Sequence, residues 1–255
     1  MDIVMIGSGN TAAVLGRKLM KAGHVILQVM SRNASSASAL AYEWDTESAN
    51  YMSLINRDAD VYIIAVNDSS IADVAAELRL PGKVVAHTAA AVDREILRDV
   101  SAHHGVLYPL QSLSSEKQTP PPIPLYYDGS DDKARRTLQT LAASVSEGTP
   151  IEAGDAARMR LHVAAVFVNN FTNHLYALAE AYCKKSGIDF RQLQPIIEET
   201  ALRVRDHSPA GLQTGPAARH DDATIEKHLA LLADFPRLAE IYKQMTASIS
   251  APLNS

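Results

Sequence analysis

Cysteine is almost absent from this sequence, because Cys183 is the single example in 255 residues. One cysteine excludes an intrachain disulfide and a zinc site made of cysteines, and it favours a reducing compartment. The chain also lacks a block of basic residues, and its formal net charge is −5. We therefore expect no nucleic-acid partner.

Long apolar runs are missing as well. The first run, at residues 3–6, is short and has no basic lead, so it does not predict a signal peptide. A later run at residues 163–168 is too short to cross a bilayer. The content of 47% hydrophobic and 21% charged residues is that of an ordinary globular protein. We expect a soluble, cytoplasmic protein with no membrane partner.

A glycine-rich segment at residues 7–12, GSGNTA, follows the first apolar run and precedes a helix pattern that reaches residue 22. This is the G-x-G-x-x-A pattern, in which a strand, a tight turn and a helix N-terminus together hold the pyrophosphate of a dinucleotide. Simple close packing of small residues is the alternative. The residues expected to hold the pyrophosphate are Gly7, Ser8, Gly9, Asn10 and Thr11.

The second predicted strand, residues 25–30, runs into Ser31 and Arg32 instead of an acidic residue. A carboxylate at this place would bind the ribose 2′-hydroxyl of NAD. A hydroxyl and a guanidinium suit the 2′-phosphate of NADP, since arginine can grip phosphate through two hydrogen bonds. A surface arginine in a turn is the alternative. We expect NADP as the cofactor.

Further strands alternate with helices up to about residue 150, which predicts a doubly wound parallel sheet. Polar residues follow the strand at residues 60–66, where ligands bind in open α/β sheets. Val66 and Asn67 are expected beside the nicotinamide, with helix capping by Asp68 or Ser69 as the alternative. The segment 125–127 is expected at the edge of the sheet because of the prolines before it.

From residue 153 onward the sequence predicts helices alone. Residues 155–185 lack glycine and proline and predict one helix of roughly 45 Å. Segments 188–207 and 222–248 predict two more helices. The expected organisation is a nucleotide-binding domain at 1–152 and a smaller all-helical domain at 153–255.

The long helix carries a polar stripe. His162, Asn169 and Asn173 fall on one line at 100° per residue, with Asn170 on its flank. Because the helix is apolar around most of its circumference, we expect it to be buried. The stripe then either binds substrate in a cleft between the domains or consists of satisfied core residues at a helix or dimer interface. His87, at the end of a strand, either transfers a proton or holds the loop.

These segments resemble the Rossmann-like NADP oxidoreductases with a DUF2520 C-terminal domain, which are related to pyrroline-5-carboxylate reductase and the β-hydroxyacid dehydrogenases. The resemblance covers essentially the whole chain. It is carried by residues 7–12, 65–68, 87–88, 108–112, 161–170 and 214–228. It implies a nucleotide domain plus a helical domain, a homodimer and an active site between the domains.

Three positions depart from these families. Ala89 and His220 stand where glycine is usual, and the long helix has no lysine before Lys184. The β-hydroxyacid dehydrogenases use a lysine of this helix in catalysis, whereas Arg158 and His162 lie in that neighbourhood here. Their mechanism therefore does not transfer directly to this chain.

The leading hypothesis is an NADP-dependent oxidoreductase that moves hydride to or from a small carbonyl or imine. Its catalytic candidates are His162, Asn170 and His87, and Arg219 is the candidate anion clamp for the substrate. No metal site is predicted, since Asp222 beside His220 more simply begins a helix. The rival hypotheses are a non-catalytic NADP-binding or sensing protein that dimerises through its helices, and a scaffold without nucleotide.

Overall fold

The computed structural model describes residues 1–116 and 122–251. Within them, eight strands form one sheet in the order β3-β2-β1-β4-β5-β6-β7-β8. The strands are β1 Asp2–Ile6, β2 Val25–Met30, β3 Glu47–Ala49, β4 Val61–Ile64, β5 Val84–His87, β6 His103–Pro109, β7 Leu125–Gly129 and β8 Ile151–Glu152.

The helices alternate with the strands in the first part of the chain and follow one another in the second. They are α1 Asn10–Lys21, α2 Ala34–Glu43, α3 Ile71–Glu77, α4 Asp132–Val145, α5 Asp155–Ala165, α6 Thr172–Lys185, α7 Gln194–Arg203, α8 Asp222–Leu231 and α9 Pro236–Ser250. A π-helical segment, Val166–Phe171, lies between α5 and α6.

The sheet is covered on both faces, as the apolar run in β1 predicts. Ile3 and Met5 point into one core, to which α1, α2 and α4 contribute. Val4 and Ile6 point into the other core, to which α3 contributes. Because side chains alternate along a strand, a run that is apolar at every position needs a layer on each face. The doubly wound α/β fold followed by helices is confirmed.

The end of the sheet differs from the prediction. β7 is not an edge strand, because it pairs antiparallel with β6 and parallel with β8. Pro122 and Pro124 precede its first residue, Leu125, so no proline interrupts its ladder. The true edge is β8, of which only Ile151 and Glu152 pair with β7.

The helical part also differs in detail. The predicted helix at 222–248 is two helices, because Pro236 lacks a backbone N–H and begins α9 as a first-turn residue. The predicted long helix is present but contains the π-helical segment. It is not buried in this chain. Between residues 155 and 185, the buried side chains are Arg158 and Cys183, and Val168 is 76% exposed.

The backbone separates into two compact units, Met1–Asn169 and Asn170–Ser255. The first contains the sheet, α1 to α5 and both cores; the second contains α6 to α9. The domain boundary between residues 152 and 153 stays a prediction from the sequence. In the described parts of the chain, no helix is long and apolar enough to span a membrane.

Candidate functional site

A cavity of about 550 Å³ opens at the carboxyl ends of β1, β2 and β4. All nine residues predicted to contact the cofactor line it. They are Gly7, Ser8, Gly9, Asn10, Thr11, Ser31, Arg32, Val66 and Asn67. The parallel strands bring these three sequence segments together, because their carboxyl ends meet at the same side of the sheet.

Gly7 makes the tight turn at the floor of the cavity. Its φ is +129°, a conformation that favours glycine, and its N–H donates to the Met30 carbonyl at 2.8 Å. A Cβ atom at this position would lie 2.1 Å from the Ala65 carbonyl oxygen. The turn therefore requires glycine both for its backbone angle and for its contact with the end of β4.

The N-terminus of α1 is open to an anion. Gly9 occupies the N-cap position, makes no side-chain hydrogen bond there, and leaves open space where a Cβ would be. The first turn of α1 has no acidic residue. Its free backbone N–H groups and the positive end of the helix dipole can therefore bind a phosphate group.

Arg32 supplies the positive charge of the cavity. It is the one charged side chain among the described residues that line the wall. Its Nη2 donates to Ser70 Oγ at 3.3 Å, and Ser8 Oγ–H donates to Ser31 Oγ at 2.8 Å. Arginine and serine at the end of β2 form a site with donors and no carboxylate, which is suited to a 2′-phosphate.

Asn10 accepts hydrogen bonds that the sequence did not predict. Its Oδ1 accepts hydrogen bonds from the backbone N–H and the hydroxyl of Ser115, at 3.1 and 2.7 Å. Arg17, two turns further along α1, donates a hydrogen bond to the Ser115 carbonyl at 2.8 Å. The segment after β6 is thus fastened to the helix of the glycine loop, and the Asn10 side chain has this structural role.

His87 is fully buried at the end of β5 and is not among the residues that line the cavity. Its Nδ1 accepts from the Ala89 N–H at 3.2 Å, so the ring holds the loop after the strand. Burial, together with the positive charge of Arg158, lowers the pKa of His87 to about 4. The imidazole is neutral at pH 7.

Arg158 is the largest fully buried side chain of the structure, at 1% exposure. It donates to the carbonyls of Ala90 and Val92, at 3.1 and 2.7 Å, and to the carboxylate of Asp155. Burial alone would raise the pKa of Asp155, but its hydrogen bonds from Arg158 and from the Arg94 N–H bring the pKa below its usual value. These contacts fix α5 on the loop after β5.

His162 lies one turn beyond Arg158, and its Nδ1 is 3.2 Å from the phenolic oxygen of Tyr108. The two rings meet edge to face, with centroids 6.3 Å apart and planes at 79°. Tyr108 stands near the end of β6. In the sequence, Tyr108 is only part of a segment that carries the family resemblance. Its contact with His162 could not be predicted, because 54 residues separate the two.

The other candidates lie in the second unit. Asn170 is exposed within the π-helical segment, and Arg219 is exposed at the end of a short 3-10 helix. Both remain predictions from the sequence. His220, which replaces the family's glycine, has a φ of +54°, and this explains why glycine is usual there.

The histidines and acids near residue 220 have structural contacts. Asp221 caps α8 by accepting from the Thr224 N–H at 3.1 Å, and His228 Nδ1 lies 2.9 Å from the Tyr242 hydroxyl. Throughout residues 1–116 and 122–251, no group of three or more histidine, cysteine or acidic side chains could hold a metal ion.

The sheet, its glycine loop and the helices that follow define a Rossmann-type α/β protein. Residues 2–91 match the family described as coenzyme F420-dependent NADP oxidoreductase, and residues 123–249 match the domain of unknown function DUF2520. The chain is 35% identical to a "putative NADP oxidoreductase" from Bacteroides fragilis, with a TM-score of 0.89 over 98% of this chain and 97% of that one. It therefore belongs to the family of NADP oxidoreductases that carry a DUF2520 domain.

More distant structures share the fold. A 1-pyrroline-5-carboxylate reductase from Streptococcus pyogenes is 15% identical, with a TM-score of 0.64 and 98% of each chain covered. An imine reductase from Myxococcus stipitatus, solved with NADP+, is 16% identical, with a TM-score of 0.64 over 98% of this chain and 93% of that one. No protein of curated function matches the sequence.

Proposed function

We propose that this protein is an NADP-dependent oxidoreductase that transfers hydride between NADP and a small carbonyl or imine substrate. The observation that carries the proposal is the cavity beside β1, β2 and β4, with its open helix N-terminus and with Arg32 as the one charged side chain among the described residues of its wall. Structures named as imine and pyrroline-5-carboxylate reductases have the same fold, which favours a C=N or C=O bond as the reacting group.

Each part of the cavity suits one part of the cofactor. The N–H groups at the start of α1 would hold the pyrophosphate, and Ser31 with Arg32 would hold the 2′-phosphate. Val66 and Asn67, after β4, would flank the nicotinamide, whose chemistry is the hydride transfer. Tyr108 and His162 would supply polar hydrogens near the end of β6, which lies two places along the sheet from β4.

The test is a calorimetric titration with NADPH and with NADH. We expect the wild type to bind NADPH at least tenfold more tightly than NADH. Arg32→Ala should weaken NADPH binding by about tenfold or more and leave NADH binding unchanged, because only the 2′-phosphate loses a charged hydrogen bond. Arg98→Ala is the matched control, since Arg98 is an exposed arginine outside the cavity.

The outcomes separate the hypotheses. A preference for NADH would reject the 2′-phosphate site, and binding of neither nucleotide would reject the proposed function. If NADPH binds tightly but no small imine or carbonyl oxidises it, the non-catalytic NADP-binding or sensing protein is the better account. The absence of a lysine between residues 155 and 183 is the observation that favours this second candidate.

We also propose that the protein is a homodimer that associates through its helical part. Of the described residues 170–251, Cys183, Ala217 and Leu232 are the buried ones. Large apolar side chains such as Ile196 and Leu231 are 65% and 66% exposed. Exposed apolar surface on this scale is typical of a region that a partner covers, and a second copy of the chain is the simplest partner.

A further inference from the structure

We infer that Tyr108 donates the proton in the proposed reduction and that His162 positions the phenol and restores its proton. The inference rests on the proposed function, because it needs an NADP-dependent reaction at the carboxyl ends of the strands. It adds a catalytic residue, Tyr108, and it assigns His162 the part of a positioning residue that acts through Tyr108.

The position of Tyr108 in the sheet is the first argument. β6 lies two places from β4, whose end carries Val66 and Asn67 on the wall of the cavity. β4, β5 and β6 pair in parallel, so the carboxyl ends of all three strands lie along the same edge of the sheet. Tyr108 therefore lies near the carboxyl end of its strand, at the edge of the sheet where the cavity opens, although neither Tyr108 nor His162 is among the residues that line the cavity.

The second argument is how firmly the pair is held. The phenolic oxygen of Tyr108 and Nδ1 of His162 are 3.2 Å apart. α5, which carries His162, is fastened one turn earlier by the three hydrogen-bonded groups around Arg158. Residues four apart on a helix share a face, so the anchor at Arg158 also fixes His162 against β6. A proton donor held in this way needs little reorganisation before it reacts.

The third argument is the ionisation of the phenol. Burial raises the pKa of Tyr108, and the negative charge of Asp68 and the neighbouring Tyr126 raise it further, against the opposing effect of Arg158. Tyr108 therefore carries its proton at neutral pH. The positive charge of Arg158 stabilises the tyrosinate that forms when this proton leaves.

The proposed reduction delivers one hydride and one proton to the substrate. Hydride adds to the carbon of the C=N or C=O bond and oxidises the cofactor, while the electron pair of the double bond moves onto nitrogen or oxygen. That atom takes the phenolic proton of Tyr108. His162, in the tautomer that carries its proton on Nδ1, then gives this proton to the tyrosinate while its Nε2 takes one proton from solvent, so the ring ends neutral and the reaction consumes one solvent proton. Tyr108 is only 8% exposed, whereas His162 is partly exposed, so the histidine connects the phenol with solvent.

The test uses the full-length protein with NADPH and two probes, 1-pyrroline as the imine and propanal as the carbonyl compound. The variant is Tyr108→Phe, which removes one hydroxyl. Its matched control is Tyr126→Phe on β7, whose ring centroid lies 6.4 Å from that of Tyr108. We expect kcat to fall at least a hundredfold in Tyr108→Phe and less than threefold in Tyr126→Phe, with NADPH affinity unchanged within twofold in both.

His162→Ala tests the positioning role. We expect kcat to fall about tenfold or more with little change in KM, and added imidazole to restore part of the lost kcat. A residue that only tethers α5 to the sheet would show no imidazole rescue. This second variant also keeps the inference testable if Tyr108→Phe fails to fold.

Two results would overturn the inference by itself. One is a Tyr108→Phe variant that retains kcat within threefold of the wild type, and the other is a His162→Ala variant that imidazole does not rescue. If the wild type binds NADPH but reduces neither probe, the oxidoreductase proposal falls and the role of Tyr108 falls with it. NADPH affinity is measured in every variant, so loss of cofactor is distinguished from loss of proton delivery.

Discussion

His87 is a single residue whose surroundings decide its chemistry. The side chain has 0% exposure at the end of β5, and its Nδ1 accepts from the Ala89 N–H. Burial and the nearby Arg158 favour the neutral ring, and they outweigh the opposing effects of the Asp93 backbone and the Asp155 carboxylate. The geometry therefore gives His87 a structural contact at the loop after β5.

This environment predicts a pH-dependent contribution to stability. The folded pKa of His87, about 4, lies below the reference value of 6.5. The unfolded chain therefore binds the proton more tightly, and the stabilisation is complete above pH 6.5 and is lost as the pH falls towards 4. The full effect is up to roughly 3 kcal/mol.

The measurement is denaturant unfolding between pH 7.5 and 4. His87→Asn keeps an acceptor for the Ala89 N–H but cannot be protonated. We expect the free energy of unfolding of this variant to fall less steeply with decreasing pH than that of the wild type. The exposed His207→Asn is the control. Parallel slopes in the wild type and His87→Asn would contradict the assignment.

The glycine loop is the element whose sequence and geometry agree best. Two of its glycines have different reasons to be glycine. Gly7 has a positive φ and contacts the Ala65 carbonyl, whereas Gly9 has ordinary angles and open space around its missing Cβ. Gly7 is thus required by the fold, whereas the fold leaves room for a Cβ at Gly9, where we expect the bound pyrophosphate to require glycine.

Substitution by alanine should separate these two requirements. We expect Gly7→Ala to lower the free energy of unfolding by at least about 2 kcal/mol, because of its backbone angle and the close carbonyl. Gly9→Ala should change stability by less than about 0.5 kcal/mol yet weaken NADPH binding at least tenfold. Thermal unfolding and calorimetry measure the two quantities.

Gly148→Ala is the control for these variants, since nothing lies within 4 Å of its missing Cβ and it is outside the cavity. A Gly9→Ala variant that binds NADPH like the wild type would show that the loop does not approach the pyrophosphate.

The segment between α5 and α6 is an element that the sequence did not reveal. Residues 166–171 form π-helical turns, which often mark functional sites in helices. The spacing of apolar residues predicted a continuous α-helix, but this spacing does not distinguish an α-helical turn from a π-helical turn that contains an extra residue. Asn169 and Asn170 lie within these widened turns, so their predicted alignment with His162 at 100° per residue does not hold there.

At the scale of the whole molecule, the two units differ in how much apolar surface they bury. Met1–Asn169 contains both hydrophobic cores of the sheet. Among residues 170–251, three side chains are buried. A helical region of this size rarely remains stable with so few buried side chains. The proposed dimer would stabilise it, because association would bury apolar side chains that are exposed in the single chain.

The dimer predicts a specific response to charge on its apolar surface. Ile196→Asp on α7 and Leu231→Asp on α8 should each raise the dimer dissociation constant at least about tenfold, because an unpaired carboxylate would be buried on association. Sedimentation equilibrium measures the change. Glu198→Gln on α7 is the control, because this substitution removes a charge from an exposed polar position and places none in the apolar surface. A wild type that sediments as a monomer at micromolar concentration would contradict the proposal.

The strands β1, β2 and β4, the glycine loop and the position of Ser31 and Arg32 could be predicted from the sequence, whereas β3 was not predicted. These features depend on local patterns: apolar runs mark buried strands, and a glycine turn before a helix marks the point where the strand ends. Parallel strands that alternate with helices then bring their carboxyl ends together. For that reason, all nine predicted cofactor residues lie around one cavity.

Three features depend on tertiary contacts: the place of β7 inside the sheet, the burial of Arg158 and the contact of Tyr108 with His162. β7 pairs antiparallel with β6, and the sequence of β7 by itself does not specify the direction of this pairing. No local pattern distinguishes Arg158 as a buried arginine, and its burial depends on the carbonyls of another segment that accept its hydrogen bonds. Contacts across 54 residues depend on the path of the whole chain, which no local pattern specifies.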